Sequence, residues 1–204
     1  MGDNMRLIKD CISADWSNDI PHDEEKKICT WQSFCEEEAI PICFFNVMLS
    51  DLMKLNEIGK EAIKRWMKRE INTLIFFGGA GSGKTHAALA LLRHAYNDGK
   101  KWVRFLTAES LLHEGKEHGP DYLRRKYGEC PYLVIDDLGV ERPAEWETKY
   151  FFAICDERYS RKLSTIITTN LDQNALEIIY TKRAISRLQA TSIKFNDLDW
   201  REML

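Results

Sequence analysis

No stretch of this chain approaches the roughly 18 apolar residues that a helix needs to cross a bilayer. Its opening, MGDNMRLIKDCISADW, lacks the positively charged end and apolar core of a secretory signal. The expected compartment is therefore the cytoplasm, with no membrane partner. Cysteine is present, but not in metal-binding order: five and seven residues separate Cys29, Cys35 and Cys43, without the tight C-x2–4-C pair that brings two thiolates to one metal. Reduced thiols are the expectation for all six cysteines. Net charge is only −3, yet it is uneven. Residues 1–45 hold ten acids against four bases, and the remainder holds 25 bases against 22 acids. That small surplus permits nucleic-acid contact without requiring it, and the two parts are expected to meet different partners.

What is present is a core-forming composition, 44% hydrophobic over 204 residues, enough for one α/β domain of ordinary size and a short extension. Residues 76–85 read FFGGAGSGKT and satisfy G-x-x-x-x-G-K-[ST] in full. Gly78, Gly81 and Gly83 let the backbone bend so that successive N–H groups converge on phosphate oxygens. Gly79, Ala80 and Ser82 complete the loop, and His86 follows in the helix behind it. Lys84 reaches the β and γ phosphates as a point charge, and Thr85 offers its hydroxyl to Mg²⁺. The helix that begins here also turns its positive end toward the same anion. A turn that only joined a strand to a helix would have no use for the lysine. ATP and Mg²⁺ are the ligands this pattern anticipates.

The rest of the chain reads as strands alternating with helices. Residues 1–45 mix acidic runs with Trp16, Ile20, Trp31, Phe34, Phe44 and Phe45, too apolar for a solvating tail. They form an arm that either docks on a partner or folds back on the core. One or two amphipathic helices fit residues 50–69, with Gly59 as a break, before a buried strand at 73–77 (TLIFF). The phosphate-loop helix, closed by Asn97-Asp98-Gly99, leads to a second strand at 101–107 and short helices at 109–117 and 121–127. Residues 132–137 (YLVIDD) form a buried strand ending in two carboxylates. Asp136 would hold Mg²⁺ through its water shell, and Asp137 would polarise a water against the γ-phosphate. A helix over 144–160 and a strand over 164–169 (STIITT) bring Asn170 to a strand end. Phosphate-loop enzymes that hydrolyse with a dedicated acid place an additional strand between the two phosphate-binding strands, and Asn170 is the polar side chain that such a strand presents. One helix over 173–189, carrying Lys182, Arg183 and Arg187, and a fifth strand at 192–195 complete a doubly wound parallel sheet with helices on both faces. A helical lid domain is not expected after it.

With these motifs in place the chain resembles an AAA+ ATPase of the DnaC/DnaI/IstB group over residues 46–204. The marks are IDDLG (135–139), DERY (156–159), TIITTNL (165–171), SRL (186–188), DWR (199–201) and the approach IPICFFN (40–46). The resemblance implies a protein that loads the replicative hexameric helicase onto single-stranded DNA, or in the IstB branch helps a transposase choose its target. It implies an ATP-dependent spiral or ring in which Arg187 acts as an arginine finger on the neighbour's γ-phosphate. Hydrolysis would then be slow in an isolated subunit. The insert 109–127 would line a DNA channel, with Lys116, Arg124, Arg125 and Lys126 as contacts, and residues 1–45 occupy the place of a helicase-binding arm. One departure is Asp137, where many AAA+ enzymes carry Glu, consistent with slow turnover. A small-molecule kinase built on the same loop would add an arginine-bearing lid and an acceptor pocket, and neither is visible in the sequence.

Overall fold

The computed structural model describes residues 30–98, 102–139 and 143–195. The expectations for Trp16, Ile20, Cys11, Cys29, Gly99, Lys101 and the DWR motif at 199–201 lie outside the described residues. Five parallel strands form one sheet: β1 (Thr73–Phe77), β2 (Val103–Thr107), β3 (Tyr132–Asp136), β4 (Ser164–Thr169) and β5 (Thr191–Lys194), in the order β2-β3-β4-β1-β5. The strand placed between β1 and β3 is β4, the order expected when an extra strand separates the two phosphate-binding strands.

Period-two alternation of apolar residues explains why helices cover both faces. Leu74, Phe76, Val103, Phe105, Tyr132 and Val134 face one core, while Ile75, Leu106, Leu133, Ile135 and Ile167 face the other. The first core is closed by α1 (Trp31–Glu37), α2 (Glu57–Met67) and α3 (Lys84–Asn97). On the second face lie α4 (Ala108–His118), α5 (Pro120–Leu123), α6 (Thr148–Arg161), α7 (Gln173–Tyr180) and α8 (Lys182–Leu188). Among the described residues no helix is long and apolar enough to cross a membrane.

The described part of the arm packs on the first core. Trp31, Phe34 and Cys35 are buried, with the Trp31 ring stacked on Phe34 and edge-on to Tyr96 of α3. Glu38 anchors the end of this segment to the outer strand β2: its carboxylate accepts from Arg104 Nη1 at 2.6 Å and from the backbone N–H of Phe105 at 2.9 Å.

Several local expectations need correcting. Gly59 does not break a helix. It lies within α2, and a Cβ there would stand 3.2 Å from Ile193 of β5, so glycine serves a close approach of helix to sheet. The single helix expected over 173–189 is two helices, because Thr181 adopts φ 69° and caps α8 by accepting from Ala184 N. After α5 the chain widens into a π-helical turn over Arg124–Gly128, and β3 ends at Asp136, one residue earlier than expected.

Candidate functional site at the strand ends

The strands' C-terminal ends bring Lys84, Thr85, Asp136, Asp137, Thr168 and Asn170 together. The β1–β4 register sets Phe77 opposite Thr169, so Gly78 and Asn170 leave the sheet side by side. The next pairing sets Ile135 opposite Ile167, which brings Asp136 level with Thr168. Gly83 reaches φ 88° at the start of α3, a conformation that disfavours a side chain. A Cβ on Gly78 would stand 2.6 Å from the carbonyl of Phe195, so the loop also needs glycine where it passes β5. Gly79 and Ala80 are exposed, and Ser82 is buried beneath them.

Lys84 is only 5% exposed, and its ammonium donates to Gly78 O (3.0 Å), Gly79 O (2.7 Å) and Ser82 Oγ (3.4 Å). All three acceptors are uncharged. Burial lowers its pKa, opposed by the nearby charges of Asp137 and Asp136. A buried cation whose hydrogen-bond acceptors among the described residues are all neutral oxygens, at the start of a helix, fits an anionic ligand. The His86 ring is engaged by Asp51, with Nε2 2.7 Å from Oδ2, and lies edge-on to Phe44. The first turn of α3 is thereby tied to the segment before β1.

Asp136 is 7% exposed and accepts from Thr168 Oγ1 at 2.6 Å and Thr85 Oγ1 at 2.9 Å, both on its Oδ1 oxygen. Among the described residues Oδ2 has no hydrogen-bond partner. Burial raises this carboxyl to about 6, with Asp137 adding to the rise and the two hydroxyls and Lys84 opposing it. A buried acid beside a hydroxyl, with one oxygen unengaged, fits Mg²⁺ and its water shell.

Asp137 is held in the left-handed region, at φ 55°. Its N–H donates to Thr168 Oγ1 at 2.9 Å, and the N–H of Leu138 donates to Thr168 O at 2.9 Å. These bonds fix the turn and leave the Asp137 side chain exposed. Thr168 thus serves both acids, a role sequence reading missed. Asn170 is exposed at the end of β4.

Arg187 stands at the other edge of the sheet. Helices that return along a parallel sheet end where strands begin, and α8 ends at Leu188, three residues before β5 starts. Arg187 lines a cavity of about 400 Å³ with Asn72, Thr73, Leu163 and Thr165, which lie at the starts of β1 and β4. A five-residue strand separates it from its own phosphate loop by roughly 13 Å or more. Its Nε lies 3.2 Å from Asp156 Oδ1, and its guanidinium lies over Tyr159. Beside it, Arg158 is 4% exposed and donates to the carbonyls of Tyr127, Cys130 and Ser164 and to Thr165 Oγ1, tying the turn after α5 to β4.

The four basic residues of the insert differ in availability. Lys126 is turned inward, with its ammonium on both carboxylate oxygens of Glu114 at 3.0 and 3.1 Å and near the Tyr127 ring. Lys116 pairs with Glu147 at 2.8 Å and Arg124 with Asp121 at 2.7 Å, whereas Arg125 is exposed and unpaired among the described residues.

This strand order, with a glycine loop after β1 and acids after β3, defines a P-loop NTPase fold of the AAA+ type. A family model described as "IstB-like ATP binding protein" matches residues 51–186, and the chain belongs to that family. It is similar to the uncharacterized protein YdaV of Escherichia coli (strain K12), 28% identical over 62% of this chain and 54% of YdaV. It is also similar to the replicative helicase loader DnaC of Buchnera aphidicola subsp. Baizongia pistaciae, 27% identical over 65% of this chain and 56% of that protein. The chain thus spans little more than half the length of these curated relatives. A crystal structure of the DnaC helicase loader superimposes with a TM-score of 0.61 at 26% identity, covering 76% of this chain and all of the other.

Proposed function

We propose that this chain is an ATP-switched loader of a replicative DNA helicase onto single-stranded DNA, working as an ATP-dependent spiral or ring. The observation that carries this reading is the division of one catalytic set between opposite edges of the sheet. The phosphate loop and acids lie where strands end, and Arg187 lies where they begin. Stacking copies head to tail sets the arginine of one against the phosphate loop of the next. Similarity to DnaC supports helicase loading as the use of that engine.

In this reading the backbone N–H groups of 78–85 and Lys84 bind the triphosphate. Thr85 and Asp136 would hold Mg²⁺, which would supply charge neutralisation to the phosphates. Asp137 orients and polarises the attacking water, Asn170 fixes the γ-phosphate, and Arg187 of the adjoining copy stabilises the charge that develops there. Asp137→Asn should keep ATP bound while turnover falls at least about a hundredfold. Nucleotide binding and single-turnover hydrolysis measured together test this. Arg125, with Arg124 beside it, is the basic pair of the insert offered to DNA, and Lys126 braces the insert from within.

A second reading, a transposition helper, is favoured by the IstB-like description of the matching family model. Sedimentation of the full chain with a hexameric replicative helicase, in ATP and in ADP, decides between them. Helicase loading requires an association that changes with the nucleotide. No such association, together with turnover stimulated by a transposase, would establish the second.

A further inference from the structure

We propose that Asp156 and Tyr159 are positioning residues for Arg187, fixing its guanidinium in the pose that a neighbouring copy's bound triphosphate meets. The inference rests on the finger reading of Arg187 and adds what aims it. Asp156 and Tyr159 are three residues apart on α6, so they share the face that packs against α8. The carboxylate takes the inner nitrogen, Nε, at 3.2 Å, and the tyrosine ring lies 5.0 Å from the guanidinium carbon. Guanidinium donors form a rigid planar fork, so engaging Nε on one side and one ring face fixes the orientation of the whole group. The two terminal nitrogens have no partner among the described residues, and they are the pair that grips a phosphate in bidentate fashion. Rotamer freedom is given up before docking instead of during it. Arg183, one turn earlier, lies over the Phe152 ring at 4.8 Å and, among the described residues, has no carboxylate on its Nε.

The charge of Asp156 makes the inference sharp. Its side chain is 50% exposed, on a face that in this reading approaches a polyanion. By charge alone, removing it would favour docking. By orientation, removing it lowers the rate at docked sites, and the two roles predict opposite signs.

The test uses the full chain, with assembly followed by sedimentation in a non-hydrolysable ATP analogue and turnover followed with single-stranded DNA. Asp156→Ala should lower kcat about tenfold, with the KM for ATP unchanged and assembly unchanged or tighter. Asp156→Asn, which removes the charge of the ion pair, should lower kcat in the same direction, Tyr159→Phe should retain most activity, and Tyr159→Leu should not. Subunits carrying Lys84→Ala should restore turnover to Arg187→Ala subunits by lending their arginine, and should fail when they also carry Asp156→Ala. If Arg187→Ala abolishes stimulated turnover but Asp156→Ala leaves kcat intact, or weakens assembly instead, the positioning role is overturned and the finger stands. If Arg187→Ala leaves turnover unchanged, the finger reading falls first and the positioning role with it.

Discussion

At the edge where the strands end, the buried charges are met by uncharged groups of the same subunit: Lys84 by two carbonyls and a serine hydroxyl, Asp136 by two threonine hydroxyls. At the edge where the strands begin, two arginines that line one cavity behave differently. Arg158 spends its donors on internal carbonyls, while Arg187 has one nitrogen anchored and its fork unengaged. The first edge is arranged to receive charge from outside and the second to supply it. In the proposed function, a complete catalytic set forms only where two copies meet.

Arg187→Ala should have the largest effect, lowering assembly-stimulated hydrolysis about a thousandfold or more. Nucleotide affinity of the dilute subunit should be unchanged, so titration calorimetry beside stimulated turnover separates the two edges. Lys84→Ala should weaken ATP binding by roughly a hundredfold, the worth of charge-assisted hydrogen bonds to phosphate, and calorimetry measures it directly. Arg158→Ala leaves buried carbonyls without donors and should cost about 3 kcal/mol or more in chemical denaturation. Its effect on activity should follow stability alone, unlike that of its neighbour Arg187.

A pH-dependent effect concerns Asp136. Its carboxyl is raised from 3.8 to about 6 in the fold, so the native state holds this proton more tightly than the unfolded chain does. The contribution of Asp136 to ligand-free stability should therefore decline as pH rises from 3.8 to about 6, by up to about 3 kcal/mol. Asp136→Asn should remove that decline and melt above the wild type at pH 8. Mg²⁺ with nucleotide should raise the wild-type melting temperature more than that of the variant.

Much of the strand-end site was legible because its residues are contiguous. The loop from Gly78 to Thr85 and the paired acids each lie in one short run, and the apolar residues before them alternate with a period that identifies buried strands. Thr168 was not legible. STIITT offers four hydroxyls, and only the pairing with β3 decides which one reaches Asp136. The turn at Asp137 uses a left-handed aspartate with no glycine to announce it, and Thr181 ends a helix in the same unannounced way. Gly59 gave the opposite error, a glycine that reads as a break but serves close packing against Ile193. At the far edge, SRL marks Arg187, but nothing local to it points to Asp156 and Tyr159 on another helix, because that contact is made by packing.

Glu38 bears on how copies can associate. Strand β2 forms one margin of the sheet, and a bare margin invites another chain to add itself as a further strand. With a carboxylate seated on the Phe105 amide and clamped by Arg104, that hydrogen-bonding position is already taken. Addition of a further strand is opposed at this margin. Glu38→Ala should accordingly favour aggregation without nucleotide, which light scattering of the variant beside the wild type measures.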